Sequence, residues 1–262
     1  MLTSMVCRYE HFLTPWYQEW SRRMGFAGHI HRKAWEWCAI AQALGERDML
    51  RSGRVGCGFA VGKEPLPSLF ASTGVKITAT DAPPSEEGGS SWTNQYASSL
   101  EDIYVPAILC EELFRQNVEF QYADMRDPGT FPDRQYDFVW SCCAFEHLGT
   151  LETGRRFVLD SADRLLKPGG VAIHTTEFNI SSDDDTVEEG RDVIYRRRDL
   201  DRISTSLRRV ACGMVPVDYD LGLLPEDLNY DYPPYYTHGR QHIKLLSGDY
   251  VVTSIMIIIQ KG

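Results

Sequence analysis

Short apolar runs alternate with longer mixed segments through the middle of the chain, a pattern that predicts buried strands joined by helices. The first strand begins at Arg54 and the second ends at Asp81, with a small-residue loop and a short helix between them. Residues 118–125, 136–141 and 171–177 predict three further strands. Strands that alternate with helices are typical of an α/β fold with a parallel sheet.

Two helices and a last strand extend this pattern. A helix is predicted to run through Leu165 and to end at the Leu-Lys-Pro-Gly-Gly stretch of 166–170, because Pro and Gly commonly follow a helix end. A second helix is predicted over 199–210. Residues 251–259 are almost entirely apolar and predict a fully buried strand.

The two ends of the chain differ from this central pattern. Residues 1–52 predict an N-terminal helical cap, because tryptophans recur there at helix-like spacing, and its basic residues give the alternative of a lid over a ligand. The predicted cofactor-binding domain spans 53–262 and carries an insertion at about 221–247 that is dense in Tyr, Asp and His. Such a segment either packs on itself or binds a polyol, since rings stack on sugar C–H faces while carboxylates accept hydroxyl protons. The candidate acceptor-binding residues are Glu177, Asn179, Asp227, Asp231, Tyr235, His238 and His242.

Composition narrows the class of protein. The 262 residues are 43% hydrophobic and 24% charged, which fits one globular α/β domain. The net charge of −10 disfavours a nucleic-acid partner, since such binding depends largely on Lys and Arg. Seven scattered cysteines without a C-x-x-C pair argue against a disulfide framework or a structural zinc site. We expect a cytoplasmic protein that does not insert into a membrane, and its oligomeric state is open.

The loop after the first strand poses the question of the cofactor. A phosphate-binding P-loop is excluded, because Cys57 stands in the place of its first Gly and Glu64 replaces the magnesium-binding hydroxyl. Gly56 and Gly58 match the first two glycines of a dinucleotide-binding loop, but Val61 stands at the third glycine position, so a nicotinamide-dependent oxidoreductase stays an alternative. S-adenosylmethionine (SAM) has no phosphate and carries a positive sulfonium, so it tolerates an acidic loop residue.

Three stretches resemble class I SAM-dependent methyltransferases. Residues 60–64 are similar to the family's G-x-G-x-G or G-x-G-x-E loop, with Ala60 at the first Gly position. The Leu-Lys-Pro-Gly-Gly stretch of 166–170 and the Tyr-Asp-Phe-Val and Glu-His-Leu segments within 136–148 are similar to further family signatures. The resemblance covers roughly 53–179 and the last strand pair. It implies a Rossmann-like seven-stranded sheet with helices on both faces and an antiparallel last strand.

The resemblance also implies which residues bind SAM. Asp81 would accept hydrogen bonds from the ribose diol, while Asp124 and Met125 would surround the adenine. The loop of 83–96, with Trp92 and Gln95, is either a plain connection or a cover for the adenosine. The candidate SAM-binding residues are Gly58, Ala60, Gly62, Glu64, Asp81, Ala82, Asp124, Met125 and Cys143.

Methyl transfer to an alcohol needs a base, and His147 is the candidate, with Glu146 beside it as the second catalytic residue. A histidine at this position also packs without a catalytic role in related enzymes. Glu146 and Glu177 end adjacent strands, so they would either bind substrate hydroxyls or hold Mg²⁺, as in some sugar O-methyltransferases of this class.

The overall resemblance is strongest to bacterial sugar and polysaccharide O-methyltransferases. The implied function is transfer of a methyl group from SAM to a hydroxyl of a small polar acceptor, a sugar or oligosaccharide. Residues 144–149 are also similar to a stretch of cyclopropane fatty-acid synthases, so that chemistry, or another C- or N-methylation, is an alternative. A non-catalytic scaffold with the same fold is a further alternative.

Overall fold

The computed structural model describes residues 1–83, 95–128 and 131–262. The strands are β1 (Ser4–Val6), β2 (Val55–Phe59), β3 (Lys76–Asp81), β4 (Val118–Tyr122), β5 (Tyr136–Cys142), β6 (Leu166–Asn179), β7 (Cys212–Met214), β8 (Val217–Asp218), β9 (Lys244–Ser247) and β10 (Tyr250–Lys261). The α-helices are α1 (Pro15–Arg23), α2 (Arg32–Gly45), α3 (Leu66–Ala71), α4 (Glu111–Asn117), α5 (Leu151–Asp160) and α6 (Arg197–Arg208).

One sheet contains all of these strands, in the order β4-β3-β2-β5-β6-β10-β1-β8, with β7 and β9 also paired to β10. The pairs from β4 to β6 are parallel, and β10 lies antiparallel to β6. The prediction of seven strands was wrong, because the described residues form ten. The twelve-residue β10 is long enough for its outer edge to pair with three short strands in turn.

The sequence predicted a helical N-terminal segment, but the structure also contains a strand there, β1. Residues of β1 pair with Ile255 and Met256 of β10, so the first residues of the chain complete the sheet. Ser4 strengthens this edge, since its hydroxyl accepts from the Ile258 amide at 2.9 Å. Helix α2 then packs on the sheet through Trp35 and Ile40, both fully buried. The cap therefore shares the core of the domain.

The connection between α5 and β6 differs in detail from the prediction. Helix α5 ends at Asp160, and the following Ser161–Leu165 forms a π-helical turn. Strand β6 already begins at Leu166, and an irregularity shifts its register against β5 between Tyr136 and Phe138. The Pro-Gly-Gly stretch thus lies within an irregular strand, which accommodates a proline where a regular central strand would not.

Apolar side chains form a core on each face of the sheet. One cluster includes Trp35, Phe70 and Trp140, and the other includes Phe157 and Ile257. The parallel strands end at one edge, where a βαβ sheet binds its ligands. In the described part of the chain, no helix combines the length and the apolar character that a membrane span requires.

Candidate functional site

The loop after β2 adopts a backbone conformation that restricts its residues. Ala60 and Gly62 have positive φ angles of 50° and 52°. A Cβ on Gly62 would lie 2.6 Å from the carbonyl oxygen of Gln95, so no side chain fits there. The amide of Val61 donates to the Thr80 carbonyl at 3.0 Å, which ties the loop to β3. This loop therefore presents backbone rather than side chains to the sheet edge.

Asp81 ends β3 directly beside this loop, at only 1% exposure. Its Oδ2 accepts from the amides of Gly62 at 3.1 Å and Ala97 at 2.8 Å, and its Oδ1 accepts from the Ala82 amide at 2.8 Å. Burial raises the pKa of Asp81, and the three amides oppose that rise. Because a carboxylate offers about four acceptor positions, one position on Oδ1 accepts no hydrogen bond from the residues that the structure describes.

Glu64 points into the protein. Its side chain is buried and accepts from the Trp140 indole at 2.7 Å. Burial raises the pKa of Glu64 to about 8, which keeps the carboxyl protonated near neutrality. Gly58 lies against the same indole, since a Cβ there would meet the Trp140 ring at 2.3 Å. These two residues fix Trp140 below the loop, a packing role that the sequence did not predict.

The residues expected around an adenine are divided between surface and core. Asp124 is 40% exposed and pairs with Arg126 at 2.6 Å, which lowers the pKa of the carboxyl. Met125 is buried in the core cluster that contains Phe157. The segment lies next to the expected site, because the Ala123 amide donates to the Asp81 carbonyl at 2.8 Å. Of the predicted cover, Trp92 lies outside the described residues.

Glu36 is the central residue that sequence reasoning missed. It comes from α2, is fully buried, and lies at the carboxyl ends of β5 and β6. Burial alone would raise its pKa, but Lys33 and Arg32 outweigh that effect and hold the pKa at about 2. Its carboxylate accepts from Lys33 (2.9 Å), Ser254 (2.5 Å), Cys142 (3.0 Å), Cys143 (3.2 Å) and Thr175 (3.2 Å).

Glu146 and Glu177 come together beside this cluster, as their positions at adjacent strand ends predict. Ligand atoms of Cys143, Glu146 and Glu177 all lie within 4.8 Å of one another. Glu146 Oε2 accepts from the Thr176 hydroxyl at 3.1 Å, and Glu177 Oε1 pairs with Arg32 at 2.5 Å. The other oxygen of each carboxylate is buried and has no hydrogen-bond partner among the residues that the structure describes. Burial raises the pKa of Glu146; the charge of His147 opposes this rise and the charge of Glu177 adds to it.

His147 follows Glu146 on the same 3₁₀ turn but faces outward. Its side chain is 34% exposed, and Nδ1 lies 2.7 Å from a carboxylate oxygen of Asp192. A carboxylate partner on Nδ1 fixes the orientation of an imidazole and leaves Nε2 as its other nitrogen. The 3₁₀ turn therefore places the Glu146 carboxylate in the interior and the His147 imidazole at the surface.

The insertion docks on the cap above the Glu36 cluster. His242 stacks on His31 with ring centroids 4.9 Å apart, and its carbonyl accepts from the Arg32 amide at 3.0 Å. Asp231 is fully buried and lies 2.8 Å from His242 Nδ1. Burial lowers the pKa of His242 in spite of this carboxylate. Tyr235 is half-buried next to His242, with centroids 5.3 Å apart.

Three predicted acceptor-binding residues have other surroundings. The side-chain carbonyl of Asn179 accepts from the amides at 181 and 182, so it stabilises its own loop. Asp227 is buried, accepts from the Tyr9 amide at 2.7 Å and lies 3.8 Å from Lys244. His238 stacks on a neighbouring tyrosine on the exposed side of the insertion. Short polar side chains in loops commonly bond to nearby backbone, which a composition argument cannot detect.

Solved structures that are similar to this chain include methyltransferases and a cyclase. A family model described as a methyltransferase domain matches residues 90–174. The solved structure of the [4+2]-cyclase SpnF has 15% identity and a TM-score of 0.54, over 96% of this chain and 93% of that chain. The chain has the Rossmann-like methyltransferase fold. Phosphoethanolamine N-methyltransferase 2 of Haemonchus contortus, solved with SAM, has 13% identity and a TM-score of 0.51, over 94% of this chain and 56% of that chain.

A further match covers a smaller share of this chain. A putative sarcosine dimethylglycine methyltransferase from Galdieria sulphuraria has 18% identity and a TM-score of 0.47, and the match covers 70% of this chain. This chain spans 60% of the length of that relative. No curated protein matches the sequence.

Proposed function

We propose that the protein is a SAM-dependent methyltransferase. The observation that carries this proposal is the contact between the loop of Ala60 and Gly62 and the end of β3, where the remaining acceptor position of Asp81 would serve a ribose hydroxyl. The methyltransferase fold supports it, as does the SAM bound to the Haemonchus enzyme. Asp124, at the neighbouring edge, would lie beside the adenosine.

The proposed acceptor is a hydroxyl of a small polar molecule, a sugar or oligosaccharide. Two features support this choice. The oxygens of Glu146 and Glu177 that bond to no described residue can accept hydrogen bonds from neighbouring hydroxyls. The rings of Tyr235 and His242 pack together on the insertion, which contacts the cap at Arg32 and could offer a stacking surface for a sugar. All seven cysteines are free, which supports a reducing cytoplasm as the location.

Methyl transfer is an in-line displacement at the sulfonium, so positioning the acceptor accounts for much of the acceleration. The acceptor oxygen forms a bond to the methyl carbon, the bond from that carbon to sulfur breaks, and S-adenosylhomocysteine leaves. We assign the acceptor proton to Nε2 of His147, with Asp192 holding the imidazole through Nδ1. Glu146 would position the acceptor from the inner side of the same turn.

Transfer of labelled methyl groups tests this function. With labelled SAM, we expect label on monosaccharides or oligosaccharides in a panel that also contains amino acids and amines. His147→Ala should lower kcat by about 10²–10⁴-fold, because a general base is removed. His238→Ala, which changes an exposed imidazole of the insertion, serves as the matched control and should keep the wild-type rate.

Label on amines alone would contradict the proposed acceptor, and the absence of label on every acceptor class would contradict methyl transfer. An unchanged kcat in His147→Ala would assign the proton to another group.

A further inference from the structure

We infer that Cys143, Glu146 and Glu177 form a binding site for a divalent metal ion of the zinc class. Metal binding itself does not depend on the proposed function, although any role of the ion in methyl transfer would. Magnesium, which the sequence predicts from Glu146 and Glu177 alone, does not suit a site that includes a thiol.

The geometry of the three side chains favours a shared ion. One ligand atom from each residue lies within 4.8 Å of the others, so a single ion can reach all three. Cys143 stands just after β5 with a φ of 46°, a left-handed conformation that is rare outside glycine and common at functional sites. Glu146 lies on the next turn and Glu177 near the end of β6, so rigid elements carry the set.

Two unsatisfied oxygens point to a missing ligand. Glu146 is fully buried, and within the described part of the chain neither its Oε1 nor Oε2 of Glu177 has a hydrogen-bond partner. An acceptor that is buried without a partner costs about 1–3 kcal/mol, and more when it is charged. The other atoms of the same carboxylates are well paired, with Thr176 and Arg32. A cation between the two open oxygens would satisfy both.

The charge balance around the site is compatible with a bound divalent cation. Arg32 and Lys33 are the nearby basic side chains, and they pair with Glu177 and Glu36. Glu146 contacts a hydroxyl but forms no ion pair with either base within the described residues. Its charge, together with a Cys143 thiolate, would balance a divalent ion.

The ligand types determine which metal fits. Mg²⁺ and Ca²⁺ prefer oxygen ligands throughout, whereas Zn²⁺ and similar ions accept thiolate sulfur together with carboxylate oxygen. On binding, the S–H bond of Cys143 breaks, a metal–sulfur bond forms, and the proton passes to solvent. Neither the metal nor the sulfur changes oxidation state. Three protein ligands leave a fourth position open, where a water or an acceptor hydroxyl can bind.

Titration of the full chain with Co²⁺ tests this site directly, because a cobalt–thiolate bond gives a charge-transfer band in the near ultraviolet. We expect the band to saturate at one ion per chain and to disappear on addition of Zn²⁺. Cys143→Ser should abolish the band, and Glu146→Gln should weaken Co²⁺ affinity by roughly tenfold or more. Cys110→Ser is the matched control, since Cys110 is exposed and outside the cluster, and it should keep the band.

A wild-type protein without the band, or a Cys143→Ser variant that retains it, would overturn the inference. Displacement of Co²⁺ by Mg²⁺ as readily as by Zn²⁺ would also overturn it. Glu177→Gln provides a second affinity measurement if Cys143→Ser fails to fold by circular dichroism. Binding of S-adenosylhomocysteine is measured separately in EDTA, so the metal site and the proposed function can fail independently.

Discussion

At the scale of single residues, Glu36 organises the candidate site without being predicted to belong to it. Its carboxylate is fully buried and is surrounded by two bases and by thiol and hydroxyl donors from three strands. Removing one partner of a buried ion pair leaves the other charge uncompensated. The stability of the cap on the sheet should therefore depend strongly on this one side chain.

We predict that Glu36→Gln lowers the free energy of unfolding by roughly 3–5 kcal/mol, because Arg32 and Lys33 lose the charge that they share. Chemical denaturation measures the change. The matched control is Glu19→Gln on α1, whose exposed pair with Arg22 should contribute at most about 1 kcal/mol. Equal losses in the two variants would show that the cluster adds no special stability.

The residues that sequence reasoning identified are those whose role follows from local position. Asp81 was predicted because an acid at a strand end follows a small-residue loop, and the structure brings it to that loop. Glu36 was missed because the position of its side chain in the site depends on how α2 packs against the sheet. The bonds of Asn179 to the backbone of its own loop were not predicted, because they depend on the local turn rather than on residue type.

At the scale of elements, the central strands were predictable and the short ones were not. Strands β5 and β10 are nearly continuous buried runs, and the sequence located both. Strands β7 and β8 have three and two residues, too few to show any periodicity, and β1 lies in a segment dominated by helical spacing. Strands β1 and β7 pair with the free edge of β10, and β8 pairs with β1, so their formation depends on these tertiary contacts rather than on their own sequence pattern.

Strand β2 supplies a prediction at this scale. We expect Gly58→Ala to destabilise the protein by about 1–3 kcal/mol, because the added Cβ would lie 2.3 Å from the buried Trp140 ring. Thermal unfolding with a two-state fit provides the measurement. Gly213→Ala in β7 is the matched control, since its Cβ would meet nothing within 4 Å and should change stability by about 0.5 kcal/mol at most. A Gly58→Ala protein as stable as this control would contradict the packing role of Gly58.

At the scale of the whole molecule, three parts of the chain meet at one sheet edge. The cap contributes Arg32 and Glu36, the central strands contribute Asp81 and Glu146, and the insertion docks on the cap through His242. Fold class was predictable because strand and helix alternate along the chain. The contact between the cap and the insertion was not predictable, since a local sequence pattern carries no information about a contact between residues more than two hundred positions apart.

The most direct test of the central claim is isothermal titration with S-adenosylhomocysteine. We predict micromolar binding to the wild-type protein, weakened by about tenfold or more in Asp81→Asn. Asparagine has one acceptor oxygen where aspartate has two, so its NH2 group would face either the Gly62 and Ala97 amides or the position proposed for the ribose hydroxyl. Asp48→Asn, an exposed change before the start of β2, should bind as the wild type does. No binding by the wild type, or equal binding by Asp81→Asn, would contradict the account.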